Sequence, residues 1–170
     1  MAERTVAFVT LPAVIRFAVR ASGSAVDAIG GAFGIPLPRD ACRATTNGAR
    51  SALWLGPDEW LLIAPDGEGP ALVALMTGAL GGAAASVVEV SDRNVAVEVG
   101  GPKAAEAINA FNALDLHADT FQVGMCTRTL FGKAEIVLWR TADHTFRIEV
   151  WRSFGPYVLG CLEEAAREYG

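Results

Sequence analysis

The sequence predicts an α+β fold built from two look-alike βαβββα halves. Three observations carry that prediction. Strand-like and helix-like stretches follow the same order in residues 13–82 and in residues 87–170. Matching landmarks keep nearly constant separations: Val14 to Val95 is 81 positions, Cys42 to Cys126 is 84, Trp54 to Trp139 is 85 and Trp60 to Phe146 is 86. The chain is also 52% hydrophobic and 19% charged, enough to build a core. A slowly drifting offset is what an old duplication with small loop insertions leaves. Two units patterned alike independently would read the same way. At 170 residues the chain is expected to be one domain of two packed halves, with residues 1–12 as an N-terminal extension.

In the first half, residues 14–20 (VIRFAVR) read as a strand. Ser24 follows as a helix N-cap, with Asp27 placed to answer it. Val26, Ile29 and Phe33 share one side of that helix, which Gly34 and the Pro36/Pro38 pair terminate. Residues 42–46 and 51–55 read as strands joined by a turn at Asn47-Gly48. A second turn, Gly56-Pro57-Asp58, leads into a strand at 60–64. Residues 70–80 form a helix with Leu72, Leu75, Met76 and Leu80, stopped by Gly81-Gly82. Residues 87–90 add a strand at the junction.

The second half repeats the plan. Residues 95–99 read as a strand, and Gly101-Pro102 opens a helix whose Ala104, Ile108 and Phe111 share a face. Residues 126–131 are a strand. Residues 134–140 (AEIVLWR) and 146–152 (FRIEVWR) form an antiparallel hairpin around a turn centred on Asp143. Placing Trp139 opposite Phe146 gives a core face of Val137, Trp139, Phe146, Ile148 and Val150. The reverse face then carries Ile136, Leu138 and Trp151 among Arg140, Arg147 and Glu149. A solvated face does not normally hold that much apolar surface, so it is covered in part, by the chain's own helices or by another protein. The last helix spans about 154–169, with Ser153 as its cap and Val158, Leu162, Ala165 and Tyr169 as its stripe. Each half leaves an apolar sheet face that it cannot bury alone, so the two are expected to pack into one body.

Composition narrows the function. A net charge of −5 argues against nucleic acid and anionic membrane as partners. No apolar run approaches the length of about 20 residues that spans a bilayer. The N-terminus lacks the basic region and cleavage site of a signal peptide. Three widely spaced cysteines, Cys42, Cys126 and Cys161, fit free thiols in a reducing compartment, so a cytoplasmic location is expected.

Motifs for catalysis are missing: there is no C-x-x-C, H-E-x-x-H, G-x-S-x-G, phosphate-binding loop or G-x-G-x-x-G after a strand. His144 falls in a hairpin turn. His117, in DLHAD, reads as a surface residue or as a ligand or base without a partner at metal-binding spacing. The run Glu89-Val90-Ser91-Asp92-Arg93-Asn94 reads as a tight polar connection. Alternatively it is a contact patch in which Arg93 pairs bidentately with a carboxylate. Trp151-Arg152-Ser153 is a second candidate contact, because Trp and Arg are enriched in binding hot spots. Asp92, Arg93, Arg147, Trp151 and Arg152 are therefore the candidate subunit-contact residues. No catalytic, cofactor-binding or metal residue is assigned.

Several strings are specific: GPDEWLLIAP at 56–65, SDRNVAVEVGGPKA at 91–104, LDLH at 114–117, RTLFGKAEIVLWR at 128–140 and FRIEVWRSFGPYV at 146–158. Together they resemble the γ subunits of heterotetrameric sarcosine oxidase over nearly the whole chain. The sister γ subunits of N-methylglutamate dehydrogenase are similar. The resemblance implies a fold like the folate-binding domain of the aminomethyltransferase family. It also implies larger α, β and δ subunits as partners, with FAD, FMN, NAD and tetrahydrofolate held on those subunits and none on this chain. The implied role is accessory, in a complex that oxidises sarcosine to glycine. Retention of tetrahydrofolate by this chain, through Asp92, Arg93 and His117, is the alternative.

Overall fold

The computed structural model of the chain describes residues 5–169. They form two compact units: residues 13–91, and residues 92–169 together with 5–12. Each unit is a five-stranded antiparallel sheet with two helices.

In the first unit, β2 (Ile15–Ala21) leads to α1 (Ser24–Phe33), then β3 (Ala44–Asn47), β4 (Arg50–Gly56), β5 (Glu59–Ala64), α2 (Gly69–Ala79) and β6 (Ala85–Glu89). The sheet order is β3-β4-β5-β2-β6. The expected apolar faces meet here: Val26, Ile29 and Phe33 of α1 and Leu72 and Met76 of α2 pack with Phe17, Val19, Trp60 and Leu62. Leu75, expected on the α2 stripe, is 58% exposed. Ser24 does not cap α1. It is the first helical residue, Gly23 precedes it without a side-chain cap, and Asp27 instead binds Arg39 at 2.8 Å. Gly34 ends the helix in the left-handed conformation, φ 90°, as its position implies. The hairpin turn lies at Gly48-Ala49, one residue beyond the expected Asn47-Gly48.

The second unit runs β7 (Asn94–Gly100), α3 (Ala104–Asn109), β8 (Cys126–Phe131), β9 (Ala134–Ala142), β10 (Thr145–Trp151) and α4 (Gly155–Ala166). Its sheet order, with the N-terminal strand β1 (Ala7–Thr10) at one edge, is β1-β7-β10-β9-β8. The edge strand β1 (Ala7–Thr10) comes from the N-terminal segment and pairs with β7, Ala7 opposite Gly100 and Thr10 opposite Val97. It holds the place beside β7 that β6 holds beside β2. Val6 joins the core at 8% exposure. Gly101 permits the close approach: at φ 115° its missing Cβ would lie 2.5 Å from the Thr5 carbonyl, which accepts the Lys103 N–H. Gly101-Pro102 therefore precedes α3, which starts at Ala104.

The hairpin register corrects the sequence reading. Phe146 lies opposite Arg140, Ile148 opposite Leu138 and Val150 opposite Ile136, while Ala142 faces Thr145. The turn is Asp143-His144, and Thr141 is an extra, bulged residue. A slip of one residue flips a strand's faces. The core face is Ile136, Leu138, Phe146, Ile148 and Val150, against Ala104, Ile108, Val158 and Leu162 of the two helices. Val137 and Trp139 lie on the other face, with Arg147 and Glu149. The helices thus cover the Ile136/Leu138 face, not the face with Arg147 and Glu149.

The bulge recurs in the first unit. There Trp54 faces Trp60, Gly56 faces Glu59, and Leu55 is the extra residue. Trp54 therefore corresponds to Arg140, not to Trp139, at the same 86-position offset that relates Trp60 to Phe146. Both hairpins are built alike down to the irregularity.

Candidate functional site

The chain's most distinctive surface lies at one end of the second unit's sheet. Three connections meet there. A 3-10 turn, Ser91–Arg93, delivers the chain into β7. The turn at Gly132-Lys133 joins β8 to β9. A second 3-10 turn, Arg152–Phe154, joins β10 to α4. This last turn starts the helix without help from Ser153, whose side chain caps nothing. Pro156 sits in the first helical turn, where a missing N–H is harmless, and Gly155 leaves room for Val95 Cγ2, 3.1 Å from where a Cβ would stand.

Arg152 bridges two of these turns. Its Nε donates to the Asp92 carbonyl at 3.0 Å and its Nη2 approaches the Asp92 carboxylate at 3.3 Å. Both side chains are open to solvent, so the pair adds little stability. Arg93 donates to the Asn94 side-chain oxygen at 3.1 Å, and Asn94 lies opposite Trp151 in the sheet. Trp151 is 49% exposed. Phe154 and Tyr157 stand beside it in sequence, their rings edge to face at 6.4 Å. The Tyr157 hydroxyl accepts the Lys133 N–H at 3.1 Å, which fixes the aromatic pair over the Gly132-Lys133 turn.

Four of the five candidate residues, Asp92, Arg93, Trp151 and Arg152, therefore gather at this corner. Arg147 does not. Its Nε and Nη2 both donate to Glu149 Oε1, at 2.9 and 2.7 Å, and its side chain is only 14% exposed. The sequence reading also passed over Phe154 and Tyr157. The available signal was their spacing: two aromatics three apart, off the Val158/Leu162/Ala165 stripe that faces the core.

The polar run at 89–94 is partly a tight connection. In the first unit, Ser91 Oγ accepts the Arg16 N–H at 3.1 Å and donates to Glu89 at 2.9 Å. The second unit holds its other part, the Asp92 and Arg93 contacts above.

The residues named for folate do not converge. His117 lies in the loop before β8, where the Leu116 carbonyl accepts from Arg140 near the start of β10. Asp92 and Arg93 lie at the far end of β10, about 20 Å away at the usual rise per strand residue. The His117 side chain is 71% exposed, 3.5 Å from Asp119. Its backbone N–H, then the Thr120 hydroxyl, hold the Asp115 carboxyl below the usual carboxylate range. His144 is an exposed turn residue whose carbonyl accepts the Gly101 N–H.

The first unit offers a shallow concavity of about 430 Å³ over the glycine face of α1, from Asp27 to Leu37. The one carboxylate lining it, Asp27, is engaged by Arg39. Among the described residues no group of three or more His, Cys, Asp or Glu could hold a metal ion. Among them, too, no helix is long and apolar enough to cross a membrane. The described corner can recognise a surface, through guanidinium groups, an ammonium and ring faces. It has no nucleophile–base pair.

Comparison with known proteins agrees with the strings singled out in the sequence. Residues 18–168 match the sarcosine oxidase, gamma subunit family. The chain belongs to this family. The sarcosine oxidase subunit gamma of Corynebacterium sp. (strain U-96) is 33% identical over 143 residues, spanning 84% of this chain and 69% of that protein. The subunit gamma of Arthrobacter sp. is 31% identical, over 84% and 70% of the two chains. The fold superposes on a chain of the heterotetrameric sarcosine oxidase from Corynebacterium sp. U-96 with a TM-score of 0.92 at 29% identity, covering 99% of this chain and 87% of that one. The aminomethyltransferase T of the glycine cleavage system from Bartonella henselae aligns over 93% of this chain and 45% of its own, with a TM-score of 0.71 at 14% identity. That last likeness concerns the fold, and it is the fold the sarcosine oxidase gamma family was expected to share.

Proposed function

We propose that this chain is the small accessory subunit of a cytoplasmic heterotetrameric sarcosine oxidase, bracing larger chains that carry the chemistry. The observation that supports it best is the fit to one chain of such an assembly over 99% of this chain's length. The corner of exposed rings and guanidinium groups supports it as a surface suited to contact. In this reading sarcosine becomes glycine on other subunits. Those subunits hold FAD, FMN, NAD and tetrahydrofolate, and peroxide and either formaldehyde or methylene-tetrahydrofolate form there. The spread of Asp92, Arg93 and His117 along the sheet disfavours folate binding by this chain.

Co-expression with α, β and δ subunits of a sarcosine oxidase, followed by affinity capture through this chain and gel filtration, tests the reading. The expected result is a stoichiometric complex that turns over sarcosine, with no turnover by this chain alone. A chain that remains a monomer and never co-elutes refutes it. The same capture with N-methylglutamate dehydrogenase subunits distinguishes the sister family.

A further inference from the structure

We infer that the corner formed by Trp151, Phe154, Tyr157, Arg93, Lys133 and Arg152 docks an acidic, partly apolar segment of a larger partner subunit. This rests on the accessory-subunit reading and adds the surface and the chemistry of what it meets.

The corner joins two properties that seldom coincide on a surface with no partner. Three large aromatic side chains, 49%, 39% and 36% exposed, lie within seven residues of one another. Stable contacts are commonly anchored on such rings. The charge around them runs against the chain as a whole. At the corner Arg93, Lys133 and Arg152 outnumber Asp92, and Glu135, two residues from Lys133, is offset by Arg128 at 3.7 Å, whereas the whole chain carries −5. A basic aromatic patch attracts a surface of opposite sign and repels another basic one. The Asp92 carboxylate meets Arg152 through an open contact of 3.3 Å. An incoming carboxylate can therefore share or replace it and gain the two-pronged guanidinium geometry.

The occupant follows from that charge. A second copy docking corner to corner would set one net-positive corner against another. An anionic membrane would face three cations on a chain whose net charge opposes it. A protein segment with carboxylates beside apolar side chains satisfies both the rings and the cations.

The test uses the complex co-expressed with α, β and δ subunits. Trp151→Ala and the double reversal Arg93→Glu/Arg152→Glu are compared with wild type and with Val88→Thr, an exposed control in the first unit. Circular dichroism checks each fold, and Arg152→Gln removes the charge without reversing it. Each corner variant is expected to weaken assembly by about 30-fold or more, the effect of a hot-spot residue. The wild-type complex is also expected to loosen as salt rises, and the reversal variant to lose that dependence. Corner variants that assemble within about twofold of wild type overturn the inference while leaving the accessory role intact. Wild type that fails to assemble overturns both. Self-association of the isolated chain that Trp151→Ala abolishes also overturns the inference, with a second copy as the occupant.

Discussion

Arg140 offers a sharp test of the hairpin register. In the expected register it sat on a mixed outer face. In the structure it lies opposite Phe146, 5% exposed, with its guanidinium 5.1 Å from that ring's centre. It donates to the Phe121 carbonyl at 2.8 Å, to the Leu116 carbonyl at 3.3 Å and to the Asp143 carbonyl. One side chain thereby ties the loop before β8 to the β9–β10 turn. Arg140→Met keeps volume and removes every donor. Hydrogen bonds to charged groups contribute about 1.5–3 kcal/mol each, so three bonds summed naively give about 4.5–9 kcal/mol. Two effects reduce this. Burying the guanidinium is itself costly, and Nε has no partner among the described residues. The freed loop carbonyls can also turn toward water. A net loss of about 3 kcal/mol is expected, or a urea midpoint about 1.5 M lower at m near 2 kcal/mol/M. Arg140→Lys, a point charge without the planar fork, should lose about half as much. Hydrogen exchange should accelerate across residues 114–124 in both variants. A midpoint unchanged or raised in Arg140→Met, with that loop still protected, refutes the argument.

Two further predictions concern the second unit. Gly101→Ala places a Cβ where the Thr5 carbonyl stands, at a φ that side chains rarely adopt, and should cost about 2–3 kcal/mol; hydrogen exchange should show the loss concentrated in β1, and uniform loosening would count against the close approach as its cause. Asp115 should titrate below a free aspartate in carboxyl carbon NMR, and Thr120→Ala should move it upward. The sign follows from the lowered folded-state value: the carboxylate's contribution is fully present above the unfolded pKa of about 3.9 and disappears as pH falls through the folded one. An Asp115 that titrates at the ordinary value would show that the loop bonds do not persist in solution.

The fold was legible wherever apolar spacing had one interpretation. Val26, Ile29 and Phe33, or Val158, Leu162 and Ala165, can face a core in one way only, and they do. The hairpin at 134–152 was different. Ile136 and Leu138 are as apolar as Val137 and Trp139, so alternation does not choose between them, and the choice passes to the turn. There Thr141 bulges, a backbone event with no side-chain signature of its own. The parallel hairpin held a clue. Trp54 to Trp139 breaks the 86-position offset that Trp60 to Phe146 keeps, and honouring the offset would have matched Trp54 with Arg140 and set the faces correctly. Chemical likeness, Trp with Trp, was the weaker guide.

The same distinction explains the candidate site. Asp92, Arg93, Trp151 and Arg152 were visible as polar or aromatic residues beside strand ends, where side chains have room to leave the sheet. Arg147 looked equivalent by type, yet alternation puts it and Glu149 on one face of one strand, two residues apart, and a guanidinium so placed is satisfied within the chain before any partner arrives. Charge type nominates a contact residue, but the nearest opposite charge on its own face decides whether it is free to serve. By that rule Arg152, whose carboxylate contact is long and open to water, remains available to a partner. Arg147→Ala should then disturb the unit's own stability, through the loss of its two bonds to Glu149, more than it disturbs assembly.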